Sequence, residues 1–107
     1  MLVRASAKCL AAMSEKVEES RKRMVNYDAR LATVSKLLEN ESEEARGNGA
    51  LIISNCCALV TPEPIELIHP LLLVVDNAKS MSVRKNAAIA VRSDSKAYLE
   101  PMYRRWL

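Results

Sequence analysis

The chain repeats itself, and that constrains its fold more than any other feature. Val3-Arg4-Ala5-Ser6-Ala7-Lys8-Cys9-Leu10, Ala45-Arg46-Gly47-Asn48-Gly49-Ala50-Leu51-Ile52 and Val83-Arg84-Lys85-Asn86-Ala87-Ala88-Ile89-Ala90 share one pattern. Each opens on a small apolar residue and an Arg, skips one variable position, and continues with Ser or Asn and then Ala or Gly. The arginines stand at 4, 46 and 84, steps of 42 and 38 residues, so three segments of similar length are in register. Self-similarity at such a period marks stacked supersecondary units, each burying its apolar face on a neighbour.

Composition makes those units helical. Ala, Leu, Val and Ile dominate an apolar half of the chain, Phe is absent and Gly occurs only twice, which favours helices over sheets. The spacing predicts a charged helix over Val17–Asn26. It predicts an amphipathic one over Ala29–Leu38, with Leu31, Val34, Leu37 and Leu38 on one stripe. Ser42 reads as an N-cap, with Glu43 and Glu44 in the favourable first turn of a long apolar helix reaching about Val60. That helix opens on small residues (Ala45, Gly47, Gly49, Ala50), which let neighbours approach closely. Thr61-Pro62-Glu63-Pro64 is a break, and Pro64 suits the first turn of a helix over Ile65–Val75 that Pro70 should kink. Asp76–Ser82 reads as a turn and Val83 as the start of another helix, cut short near Ser93-Asp94-Ser95. Pro101 tells against a last helix over Lys96–Leu107.

Several functions are argued against on the same grounds. A net charge of +3, with sixteen cations among thirteen anions, is too even for a phosphate-tracking surface, although Arg21-Lys22-Arg23 and Arg104-Arg105 are locally basic. Three cysteines, Cys9, Cys56 and Cys57, make no disulfide framework and read as reduced thiols of a cytoplasmic protein. No run is long and apolar enough to span a membrane, and Met1–Met13 reads better as a repeat helix than as a presequence. His69 is the only histidine and Cys56-Cys57 lacks a two-residue spacer, so no metal ion or cofactor is expected. A Cys56 or Cys57 nucleophile with His69 as base would lack an orienting third group, and Gly47-Asn48-Gly49 lacks the ending of a phosphate loop. The chain therefore reads as no enzyme, with no small-molecule substrate.

With those residues in view, the chain resembles the armadillo/HEAT repeat family. Met24-Val25 through Asn55 resembles an armadillo repeat, with Leu51-Ile52-Ile53-Ser54-Asn55 where many such repeats carry Trp-x-x-x-Asn. Ile65–Leu72 followed by Ser82-Val83-Arg84 is similar to a HEAT repeat. The resemblance implies an all-α, right-handed armadillo/HEAT-like α-solenoid fragment of about two and a half repeats. Residues 1–14 would end a partial repeat, 17–60 form an armadillo repeat, 62–95 a shortened HEAT-like repeat, and 96–107 a C-terminal tail. A chain that begins inside a repeat is expected to be a fragment, with open ends suited to self-association.

The resemblance also implies a protein-binding scaffold whose concave face carries Leu51, Asn55, Asn48, Ile89, Cys9 and Met13. Asn55 would grip a peptide backbone or bond a neighbouring repeat, whereas Arg4, Arg46 and Arg84 would be structural, pairing between stacked repeats. A narrower similarity, in Asn86–Val91 and Ser93–Met102, is to the armadillo region of tetratricopeptide-plus-armadillo proteins linked to chaperone-assisted assembly of axonemal dynein, with a chaperone or client as partner. The alternatives are a basic solenoid that binds nucleic acid and a peptide-binding module of the nuclear-transport type. The irregular Asn pattern tells against a regular peptide ladder.

Overall fold

The computed structural model describes the backbone of residues 2–61 and 64–106 and the side chains of residues 6–61 and 64–95. Among the described residues there is no strand. The helices are α1 (Leu2–Lys16), α2 (Glu18–Tyr27), α3 (Ala32–Ser35), α4 (Glu43–Cys56), α5 (Ile68–Asn77) and α6 (Met81–Trp106). Short 3-10 turns cover Ala29–Leu31, Lys36–Glu39, Cys57–Leu59 and Ile65–Leu67.

α4 is the centre. It packs against α1 on one side and α6 on the other, while the 36–39 turn and α3 lie along it and α5 packs on α6. Three contacts fix the direction of these neighbours. Asn55, late in α4, bonds Ser14, late in α1; Glu43, at the start of α4, bonds Ser80, just before α6; Asn86, early in α6, reaches Gly47, early in α4. α1, α4 and α6 thus run parallel and in step. Parallel neighbours need a return path, which α2 with residues 28–39 supplies between α1 and α4, and α5 supplies between α4 and α6.

The register seen in sequence is kept in the packing. Ala7, Gly49 and Ala87 are all buried, as are Ser14, Cys56 and Asp94 one face position later. Ala11 and Ile53 are buried at 2 and 0 % exposure, and Val91 packs against the core from a half-buried position. Ile52, Ile53 and Leu71 are fully buried, and each such side chain contributes about 1.5–3 kcal/mol relative to an exposed one.

Both glycines of α4 are close-approach positions. A Cβ on Gly47 would stand 2.8 Å from Cγ2 of Val83 in α6, and one on Gly49 would stand 2.7 Å from Cβ of Leu37. The small start of α4 is therefore what lets α6 and the 36–39 turn come in on its two sides. The N-cap expected at Ser42 is present, its Oγ accepting from the Ala45 N–H at 3.3 Å. Asn40 in turn accepts from the Ser42 N–H at 2.9 Å, fixing the chain just before the helix.

Five expectations are corrected. The single helix over 29–38 is broken, because Arg30 and Leu31 take left-handed φ of 54° and 58°, leaving only α3 between two 3-10 turns. α4 ends at Cys56, and Cys57–Leu59 tightens into a 3-10 turn before an extended Val60. Pro70 does not kink a helix interior. It sits in the first turn of α5, where its missing N–H removes no helical bond, and the residues before it close as a 3-10 turn instead. Pro64 is the buried residue leading into that turn rather than part of an α-helix.

The fifth correction concerns the last helix. No break occurs near Ser93-Asp94-Ser95, and α6 runs on through Pro101, so one helix crosses the expected boundary between a shortened repeat and a tail. Ser95 is accommodated by back-bonding, its Oγ donating to the Val91 carbonyl at 2.7 Å within the helix.

Gly49→Ala should lower stability by about 1–3 kcal/mol, since a Leu37 Cβ moves only with its backbone and overpacking outweighs the better helix propensity. Gly47→Ala should cost less, because it meets a side-chain methyl. Urea melts of the two variants check the order, and an unchanged midpoint for Gly49→Ala would remove the close approach from the account.

Candidate interaction face on the central helices

Parallel helices in step place equivalent residues side by side. The expected face residues therefore form rows across α1, α4 and α6. Cys9, Leu51 and Ile89 make one row, and Met13, Asn55 and Ser93 the next. A third row, Ser6, Asn48 and Asn86, includes two residues that sequence reasoning did not single out; aligning the repeats at position 48 would have found them. Cys9 is exposed, Met13 and Ile89 are each 43 % exposed, and Asn48, Leu51 and Asn55 are half-buried. The exposed part of α4 is this strip, with Glu44 one turn before Asn48, because its other sides are taken by α1, α6 and the 36–39 turn.

None of the residues in these rows is charged, in a chain whose charged share is 27 %. Depletion of charge together with half-exposed apolar side chains is what the centre of a protein interface shows.

Asn55 has a partner within the fold. Its Nδ2 donates to Oγ of Ser14 at 3.1 Å, and that hydroxyl donates onward to the Ala11 carbonyl at 2.8 Å. Arg21 also comes in here, donating through Nη1 to the Ser14 carbonyl at 2.8 Å. Of the two roles read for Asn55, bonding a neighbouring helix is the one its amide N–H performs, and the partner is a side chain rather than backbone.

The repeat arginines work inside one hairpin. Arg46 donates through Nη1 to the carbonyl of Asn40 at 2.6 Å, and Arg84 through Nη2 to that of Ala78 at 2.6 Å. Asn40 and Ala78 each cap the helical segment before the turn, so both guanidiniums reach back six residues to an orphan carbonyl. Arg46 and Arg84 thus each close a corner between a helical segment and the helix that follows it. Arg21 of α2 does the same for the end of α1, reaching seven residues back to the Ser14 carbonyl. The Arg4 side chain lies outside the described residues.

Glu43 joins the start of α4 to the start of α6. Its Oε1 accepts from the Ser80 N–H at 2.6 Å, at the start of α6. That bond, helped by the Lys79 N–H and by the charges of Arg46 and Lys79, holds the Glu43 carboxyl below its usual range.

Reactive chemistry has little to stand on. Burial pushes the thiols of Cys56 and Cys57 up to about 11, with the charge of Asp94 adding to the effect at Cys57, so both are protonated at neutral pH. Cys57 Sγ donates to the Ser54 carbonyl at 3.9 Å, while His69 is exposed on α5. No group of three or more His, Cys, Asp or Glu residues is placed to hold a metal ion among the described residues. No helix among the described residues is long and apolar enough to cross a membrane.

Comparison with protein families, with curated proteins and with solved structures finds no match to this chain.

A carboxylate with a lowered pKa in the fold supplies stability above its unfolded value, and that stability is lost as pH falls through the folded value. Glu43→Gln should therefore melt below the wild type near neutral pH, the gap narrowing as pH falls below the usual carboxylate range, which thermal melts across pH would check. A thiol alkylating reagent at neutral pH should label the folded protein at Cys9 alone and reach Cys56 and Cys57 only after denaturation. Mass spectrometry reads the sites, and fast labelling of either buried cysteine in the native state would contradict the burial described.

Proposed function

We propose that this chain is a non-catalytic protein-interaction scaffold, its hairpins stacked in the armadillo/HEAT manner, that receives a partner polypeptide on the face shared by α1, α4 and α6. One observation carries the reading. Three parallel helices bring uncharged, partly exposed residues into register across the molecule, with Cys9, Leu51 and Ile89 as an apolar row between the polar row of Ser6, Asn48 and Asn86 and the mixed row of Met13, Asn55 and Ser93. A partner chain crossing the helices would meet apolar contacts in the middle and amide or hydroxyl groups on both sides. Arg46 and Arg84 are engaged at hairpin corners and are left out of the binding set.

The three free cysteines, two of them deep in the core, support a reducing, cytoplasmic setting. The narrower resemblance suggests a chaperone or client in axonemal dynein assembly as the kind of partner.

The test is selection of peptides from a displayed library against the whole chain, followed by affinity measurement on Met13→Asp and Ile89→Asp. Both residues are nearly half exposed, so the variants should keep the wild-type circular dichroism and melting point within a few degrees. Selected peptides should bind each variant at least about tenfold more weakly, a loss typical of a residue near the centre of an interface. Selection that yields no binder, or binders indifferent to both substitutions, would sink the proposal.

A further inference from the structure

Arg30 and Leu31 are the only non-glycine residues with positive φ among those described, and they are consecutive. Neither side chain suits that region, where the Cβ crowds the carbonyl that follows it. Three contacts hold them there. Leu31 is fully buried; the Asp28 carboxylate accepts from the N–H groups of Thr33 at 2.8 Å and Val34 at 3.0 Å; and Arg30 grips Glu66. The grip is two-pronged, Nε to Oε1 at 2.6 Å and Nη2 to Oε2 at 2.9 Å. It joins this turn to the start of the 65–67 turn, with the buried Asp94 of α6 also favouring the Arg30 charge.

The same residues carry the pattern of a different backbone. Leu31, Val34, Leu37 and Leu38 are spaced for one straight amphipathic helix, and Asp28 would be an ordinary N-cap for it. A straight segment would relieve both left-handed residues and complete the bonds that the 3-10 turns leave out. It would also carry Arg30 out of its grip on Glu66. Asp28 serves either state, and Leu31 lies on the apolar stripe in either. The Arg30–Glu66 contact belongs to the kinked state, and its side chains are 41 and 49 % exposed and so within reach of solvent and partners.

We propose that residues 28–39 form a two-state segment and that the Arg30–Glu66 pair is the latch that holds it kinked. Releasing the latch straightens the return path between α2 and α4 while the parallel layer of α1, α4 and α6 stays as it is. This stands independently of the interaction face.

The experiment is backbone NMR of the full chain in wild type, Glu66→Gln and Arg30→Gly. A straight minor state should hold about 0.1–10 % of the wild type and rise roughly tenfold or more in Glu66→Gln. The readout is movement of the Arg30 and Leu31 Cα resonances toward helical values, with those of α4 and α6 unmoved. Arg30→Gly loses the latch too, but glycine accepts the left-handed backbone and resists helix, so Leu31 should keep its wild-type shift. Unchanged Arg30 and Leu31 shifts in Glu66→Gln would overturn the latch, as would a collapse of dispersion throughout α4 and α6. A helical Leu31 in Arg30→Gly would overturn the role given to strain.

Discussion

Everything in this fold depends on α4 being thin where it starts. Gly47 and Gly49 sit on different sides of the helix, and each leaves room for one neighbour: Val83 of α6 on one side, Leu37 of the return path on the other. Two glycines weaken an isolated helix by about 1 kcal/mol each relative to alanine. The return is that three helices and a turn close around one central element, so that Ala45, Ala50, Ile52, Ile53 and Cys56 are all removed from water. Without that close approach, α6 would stand off by the width of a methyl group, and the contacts of Asn86 and Glu43 across the gap would lengthen with it.

Burial on so many sides leaves α4 one strip of surface, and this links the packing to the candidate site. A helix enclosed by neighbours has to spend its polar positions either on those neighbours or on the remaining face. Glu43 and Asn55 do the first, bonding α6 and α1 respectively. Asn48 and Leu51 remain on the open side beside their equivalents on the flanking helices. The face is thus a by-product of stacking, and its uncharged character follows from which residues recur in the repeat.

Much of this was legible in the residues. Ser42 announces its cap and the small residues at 45–50 the close approach, because each is a local requirement met by a particular side chain. What could not be read was settled by contacts distant in sequence. The stripe at Leu31, Val34, Leu37 and Leu38 fits a straight helix, and the kink at Arg30 depends on Glu66, 36 positions away. Ser93-Asp94-Ser95 looks like a stop, yet α6 continues because Asp94 is buried in the register of Ser14 and Cys56, and Ser95 bonds its own helix. For Pro70 position decides: the same residue that breaks a helix interior is harmless in a first turn. For the face, helical register points to Leu51, Asn55 and Ile89, whereas Ser6 and Asn86 follow from aligning the three segments at position 48, and that the three positions lie side by side follows only from the parallel direction of the helices.

The arginine bonds at the corners have a consequence for how such a chain can change in length. Arg46 and Arg84 each close their own turn, with a carbonyl six residues away. A unit of this kind carries its corner with it. Duplicating or removing one whole hairpin would leave every remaining corner bond intact and would ask only that one parallel helix fit the next. A few residues gained or lost inside a hairpin would instead move an arginine off its carbonyl and turn the next helix out of step. Architectures built this way tolerate change in whole periods and resist it in fractions of one.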